Sequence, residues 1–391
     1  VTRRDVLVAV VLGGLVVVAL SLLWRGRGAP DAGGDEPAAP ASTEPPAGPS
    51  EPEPEPVGPE GASGAEQAAH DSAFAFLDAY VGPDGRVSRP DQGDDTVSEG
   101  QAYALLLAAA VDDHARFDRV WGWTSANLLR ADGLLAWHWD DGGIVDDDPA
   151  TDADLDAARA LLVAGERWTR PDLTAAGQAL GAAVSTHELG AAPSGPVLLA
   201  GPWAAGPPTV VNPSYGSPRA YAELLGASVA GPWDELAVAE RARLEDLGVG
   251  AGQLPPDWTH LDPTTGTLAP VGPPATPDAP AESSYDAGRV PVRLAESCDE
   301  ADRALAASLR SPLGDGAHTR MALDGSSVAE GEHPLGLVAR AAAADADGDD
   351  AAAGRLLEEA AELEQQQPGY YGSAWVALGR VMLTTDLLGP C

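Results

Sequence analysis

From Gln67 to the C-terminus the apolar residues recur with a helical period, and no stretch alternates as an exposed strand would. Eleven segments read as amphipathic or buried helices. They are Ser72–Tyr80, Glu99–Val111, Ala115–Leu129, Asp154–Trp168, Leu173–His187, Pro218–Leu225, Trp233–Leu247, Val290–Leu309, Pro334–Ala344, Ala351–Gln365 and Gly372–Leu388. Ala and Leu dominate them, no α/β crossover pattern appears, and no internal linker divides them. The pattern predicts one all-α domain over residues 67–391. The Pro-rich stretch Leu254–Pro280 is read as a long loop over a cleft, because acidic motifs that would share a site flank it.

Upstream, Val6 to Trp24 is apolar except for Gly13, Gly14 and Ser21. About 20 such residues cross a hydrocarbon core of roughly 30 Å. Arg3 and Arg4 precede the run and Arg25 and Arg27 follow it, so flanking charge leaves the orientation open. No A-x-A cleavage pattern follows, and residues 1–28 are expected to form an uncleaved, single-pass signal anchor with the bulk of the chain outside the cell. Residues 29–66 hold ten prolines between Pro30 and Pro59 and a Glu-Pro alternation from Glu51 to Pro56. That composition predicts a stiff, disordered linker.

The formal net charge is −37 and Lys is absent. Such a surface repels nucleic acid and anionic lipid, tolerates a neutral polysaccharide and favours a cationic one. The two cysteines, Cys298 and Cys391, build no Cys-x-x-Cys metal site; an oxidising compartment would let them pair. The acids Asp140, Asp141, Asp146, Asp147 and Asp148 lack the Gly and terminal Glu of an EF-hand and read as a solvated loop. Gly-x-Ser-x-Gly, P-loop and His-Glu-x-x-His patterns are missing, and no metal or organic cofactor is expected.

Three acidic motifs remain, each at a predicted helix start: Thr96-Val97-Ser98-Glu99-Gly100-Gln101-Ala102-Tyr103, Ala150-Thr151-Asp152-Ala153-Asp154, and Ser284-Tyr285-Asp286-Ala287-Gly288-Arg289-Val290-Pro291. Each has a purely structural reading. Thr96 and Glu99 fit a capping box, Thr151 or Asp152 a helix cap, and Asp286 a cap ahead of a first-turn Pro. Tyr103 falls on the same helical face as Glu99, and Asp154 reads as a first-turn acid complementing the helix dipole.

The order and wording of these motifs resemble glycoside hydrolase family 8, the bacterial inverting endoglucanases and their relatives. The likeness extends through Ala158, Ala160, Leu161, Leu162, Ala164 and Trp168, and to Leu323-Asp324-Gly325 and Tyr370-Tyr371-Gly372-Ser373-Ala374-Trp375. It departs at Ala104, where Gly is usual, and at Ala157, where Ile or Met is usual. The resemblance implies an (α/α)6 barrel whose inner helices present their N-termini to a groove. It implies Glu99 as general acid, Asp286 as general base, and Asp152 as the group that binds and distorts the sugar and helps keep Glu99 protonated. Arg289 would hold the base or the sugar, and Tyr215, in Asn212-Pro213-Ser214-Tyr215, would face substrate. Asp94 and Asp95 are lower-ranked alternatives for the base.

Sugar rings offer apolar faces to aromatic platforms, and ten Trp stand against three Phe. Candidates are Trp137, Trp139, Tyr215, Trp258 and Tyr285, with Tyr103 beside the acid. Trp121, Trp123, Trp168 and Trp375 fall within helices and read as core. The expectation is an endo-glycosidase cutting a β-1,4-linked, cellulose-like glucan with inversion. Chitosan and xylan are the alternative substrates, and a glycan-binding protein without turnover is the alternative class. Association with a polysaccharide synthase stays open.

Overall fold

The computed structural model describes residues 63–391. The expected anchor and all but the end of the expected linker lie outside the described residues. Among the described residues no helix is long and apolar enough to cross a membrane.

Twelve α-helices among the described residues form two rings. The inner ring runs α2 (Ser98–Ala110), α4 (Thr151–Arg167), α6 (Pro218–Gly226), α8 (Val290–Ala295), α10 (Pro334–Ala346) and α12 (Tyr370–Thr384), each touching the next, with α12 closing on α2. The outer ring is α1 (Gly64–Tyr80), α3 (His114–Asn127), α5 (Pro171–His187), α7 (Trp233–Asp246), α9 (Glu300–Ser308) and α11 (Asp350–Gln366). Each outer helix packs against its inner neighbour. This is an (α/α)6 barrel.

Ring position follows from composition. On the inner α2 every residue from Gly100 to Ala110 is buried, and the segment is apolar nearly all round and rich in Ala. The outer α11 buries only Ala352, Ala353, Leu357, Ala360 and Leu363, a one-sided stripe. Close approach needs missing side chains: a Cβ at Gly177 on α5 would lie 2.9 Å from the Ala158 carbonyl oxygen of α4.

The barrel interior carries charge. Arg293 of α8 pairs with Asp156 of α4, and Arg159 of α4 pairs with Glu296 just beyond α8. Above them, Arg289 meets Asp152 at 2.7 Å. These three levels link α4 and α8 with α6 between them in the ring.

Three features differ from expectation. Helix α1 begins at Gly64, capped by Ser63, whose Oγ accepts from the Glu66 amide at 3.2 Å. The helix expected over Val290–Leu309 is two. Between α8 and α9 the Ser297 hydroxyl donates to Asp302 (2.7 Å) and Asp299 accepts from the Ala301 amide (2.8 Å), local polar bonds that compete with a continuous helix. Eight short strands also occur among the described residues, in antiparallel sheets ordered β1-β2-β3, β4-β5 and β6-β7-β8. They are β1 (Thr96–Val97), β2 (His138–Asp140), β3 (Gly143–Asp146), β4 (Leu189–Ala192), β5 (Gly195–Leu198), β6 (Thr209–Val211), β7 (Trp258–Leu261) and β8 (Leu268–Val271). At two to four residues each, they are too short to show an alternating period. All eight fall between an outer helix and the inner helix that follows, so they build up the end where inner helices begin.

A disulfide joins Cys298, between α8 and α9, to Cys391, and Arg219 of α6 donates to the nearby Gly389 carbonyl at 3.1 Å. The bridge spans 93 positions of sequence. Replacing both cysteines by Ser should cost about 2–4 kcal/mol, read as a lower urea midpoint in denaturation.

Candidate active site

A cleft of about 710 Å³ opens over the N-terminal ends of the inner helices, and Glu99, Asp152, Asp286 and Arg289 line it together. The loop expected over the cleft contributes Val271, Pro273, Pro274, Thr276, Ala279 and Pro280, and it contains the β7–β8 hairpin.

Arg289 organises the floor and is only 1% exposed. It ends a short 3-10 turn, Ala287–Arg289, just ahead of α8. One terminal nitrogen donates to Glu99 Oε1 and to Asp152 Oδ2, each at 2.7 Å. The other donates to Asp286 Oδ1 (2.8 Å) and to Ser214 Oγ (2.7 Å), and Ser214 in turn donates to Asn212 Oδ1 (2.7 Å). Three carboxyls from three parts of the chain therefore share one guanidinium. Opposite arms of that fork hold Glu99 and Asp286, so the two bonded carboxyl oxygens lie at most about 8 Å apart.

Burial pushes the Glu99 carboxyl up to about 7; Arg289 pulls it down, and Asp152 pushes it up. Asp286 is also raised to about 7, chiefly by burial, with Asp257 and Asp152 acting against Arg289. Arg pairing therefore does not hold Asp286 in the ordinary carboxylate range.

The rest of the first motif serves Glu99. The capping box does not form: Val97 is the cap residue, and the Thr96 hydroxyl donates to the Val87 carbonyl instead. Gly100 leaves room for Tyr370, whose hydroxyl would lie 2.6 Å from a Cβ there. Gln101 is buried, accepting from the Val87 amide (2.5 Å) and donating to Thr124 Oγ1 (2.7 Å). Tyr103 donates to Glu99 Oε1 at 2.5 Å, but it is fully buried below the acid and packs edge-on against Trp375. It supports Glu99 and does not reach the cleft.

In the second motif Ala150 is the cap, and Asp152 Oδ1 accepts only from the adjacent Ala153 amide. Asp154 stands in the first turn of α4, as expected. It is fully buried, accepts from the Leu135 amide (2.8 Å), and is raised well above the ordinary range by burial. In the third motif Asp286 forms no side-chain cap. Asp95 pairs with Arg89 and His138, and neither it nor Asp94 lines the cleft.

Among the aromatics, Trp137, Tyr215, Trp258 and Tyr285 line the cleft. Trp139 does not. A regular strand would place it with Trp137, but the register shifts between His138 and Trp139. Trp139 packs instead edge-on against Trp123 and under Arg86. Trp375 and Trp123 are core, whereas Trp121 and Trp168 are half-buried. Four further rings line the cleft that single-residue reasoning missed: Trp203, His333, Tyr370 and Tyr371. Trp203 is 40% exposed and donates to the Pro149 carbonyl at 3.1 Å. Asp257, just before Trp258, also went unrecognised; it receives three hydrogen bonds from the turn carrying Asp286.

The model of Glycosyl hydrolases family 8 matches residues 63–384. An endoglucanase of Xanthomonas axonopodis pv. citri (strain 306) is 36% identical over 237 residues, covering 55% of this chain and 57% of the relative. The chain spans little more than half the length of the first curated relatives it matches. The structure of endo-beta-1,4-glucanase CMCax from Acetobacter xylinum superposes with a TM-score of 0.68 at 26% identity, covering 81% of this chain and 98% of that one. A Beta-1,3-1,4-glucanase from Paenibacillus sp.X4 has a TM-score of 0.71 at 19% identity, over 84% and 94% of the two chains, and shows the shared fold alone.

Removing the central cation leaves three carboxyls in a poorly solvated floor. Arg289→Met should cost about 3–5 kcal/mol near pH 8. Without the cation the folded carboxyls sit still further above their unfolded pKa values, so stability falls as pH rises through that window. The gap to the parent in thermal unfolding should therefore narrow markedly at pH 5.

Proposed function

The chain belongs to glycosyl hydrolases family 8, and from that premise we propose that it is an endo-acting glycoside hydrolase. Its substrate in this reading is a β-1,4-linked, cellulose-like glucan, cut with inversion. The observation that carries the proposal is the pair of raised carboxyls, Glu99 and Asp286, on opposite arms of Arg289 inside an aromatic-lined cleft.

Glu99, kept protonated by burial up to about pH 7, donates its proton to the glycosidic oxygen as the bond to the anomeric carbon breaks. Asp286 takes a proton from a water that attacks that carbon from the opposite face. Asp152, fixed by Arg289 and the Ala153 amide, orients the sugar at the scissile bond. Inversion needs the two carboxyls about 6.5–9.5 Å apart, which the bound set by the guanidinium accommodates. Glu99 and Asp286 titrate as neighbours, so the active form is the one with its proton on Glu99 and Asp286 ionised.

A second reading concerns substrate charge. Arg89 and Arg320 at the cleft are each engaged by a carboxylate, whereas Asp91, Asp146 and Asp148 line it without a recorded ion pair. That surplus favours chitosan over xylan as the alternative substrate. The disulfide fits an oxidising compartment, which supports placing this domain outside the cell, as the apolar run Val6–Trp24 led us to expect.

Reducing-end release from soluble carboxymethyl-cellulose, beside chitosan, tests the reading. Glu99→Gln should lower turnover about 10²–10⁴-fold and retain glycan binding. Proton NMR of the first products should show the α-anomer, and kcat/KM should fall above about pH 7 as the acid loses its proton. β-anomer first, or an unaffected Glu99→Gln variant, would remove the proposal.

A further inference from the structure

Asp257 lies outside the three motifs, yet its side chain brackets the residue read above as the base. Its Oδ1 accepts from the backbone amides of Ser284 (2.7 Å) and Ala287 (2.8 Å), one on either side of Asp286. Its Oδ2 accepts from the Ser284 hydroxyl at 2.6 Å. The Asp257 amide itself donates to the Glu282 carbonyl at 2.9 Å. The whole turn is thereby clamped to the strand that starts at Trp258. No direct ion pair to Asp257 occurs among the described residues; three neutral donors hold this buried acid, and Arg289 acts on it only from farther off.

We propose that Asp257 is a positioning residue for the proposed base: it fixes the 284–287 turn so that Asp286 faces the cleft, and it sets a carboxylate directly behind that turn. The inference rests on the reading of Asp286 as general base. Asp257 does not touch substrate in this account; it acts through its neighbour.

The electrostatic balance at Asp286 can be followed group by group. Arg289, from the same turn, bonds Asp286 and favours its ionised form, as does the nearby Asn212 side chain, which caps the 3-10 turn Pro213–Tyr215. Asp152 from the start of α4 and Asp257 from the strand lead-in oppose ionisation, with burial as the largest influence. Glu99 from α2 shares the guanidinium, and Tyr371 of α12 sits near by. Without Asp257, Arg289 would be opposed by one carboxylate fewer, and a more acidic Asp286 is a weaker acceptor for the water proton. Burial raises the Asp257 carboxyl too, while the three donors favour its charged form.

The bonding pattern offers a clean test. In Asp257→Asn the remaining oxygen can still accept both amides, and the new NH2 can donate to the Ser284 hydroxyl, which rotates to accept. Geometry is kept and charge is lost. In the full chain, the acid limb of the kcat/KM profile should move down by roughly 0.5–1 pH unit, and plateau kcat should drop about 3–10-fold. Ser284→Ala loses one hydrogen bond and no charge, and should leave the limb in place. In the parent, the Asp257 carboxyl carbon, followed by NMR, should stay ionised down through that limb, a readout that needs no folded variant. An unmoved limb in Asp257→Asn, an equal shift in Ser284→Ala, or protonation of Asp257 within the limb would overturn the proposal. Asp286→Asn separates the two ideas: if it stays active, the base reading itself fails, whereas an inactive Asp286→Asn with an unmoved Asp257→Asn limb sinks only the role of Asp257.

Discussion

A buried guanidinium does not give up its proton, so a fold that places Arg289 at 1% exposure must bring anions to it. Glu99, Asp152 and Asp286 meet that requirement from α2, from α4 and from the turn before α8. Three acids on one cation leave the floor short of positive charge, and burial then raises Glu99 and Asp286 to about 7. A carboxyl exposed on a helix end would instead be ionised, since the helix dipole favours the anion. The same group of contacts thus fixes positions and sets protonation.

The barrel supports this arrangement from below. Arg293–Asp156 and Arg159–Glu296 continue the charge pairing down the interior, and Arg293 lies 5.5 Å from the Trp375 ring, which also meets Tyr103. Isolated buried ion pairs contribute little net stability because desolvation offsets attraction. Their effect here is on register: α4 and α8 can take only the offset at which all three levels match. Small residues on the inner helices, and Gly177 between α4 and α5, allow backbones close enough for that match.

Much of this was legible in the sequence, and what was not has physical causes. Long helices announce themselves by period, so their order could be anticipated, whereas the barrel was implied only by the family resemblance; strands of two to four residues cannot be seen by period. The motifs located Glu99, Asp152 and Asp286, but not that one side chain, Arg289, holds all three. A usable signal existed: Asp152 and Asp156, like Arg289 and Arg293, are spaced four apart, which aligns two charge pairs on facing helices. Trp139 was misplaced because a register shift defeats alternation. Asp257 carried no signal, since a lone acid before a Trp has no pattern until the turn at Ser284 folds back on it. Cys298 and Cys391 could be joined or free by sequence; only proximity decides.

The contacts that complete the floor are remote in sequence, 190 positions between Arg289 and Glu99 and 137 between Arg289 and Asp152. Chain closure over such separations is slow compared with forming local helices. A nascent chain that has made α2 and α4 still lacks Arg289, the cation to which both Glu99 and Asp152 bond. The floor is complete only when the turn before α8 has met α2 and α4, so closing the ring and assembling this charged floor draw on the same long-range contacts. The first acid of the floor to be synthesised thus takes its partner from a residue made 190 positions later.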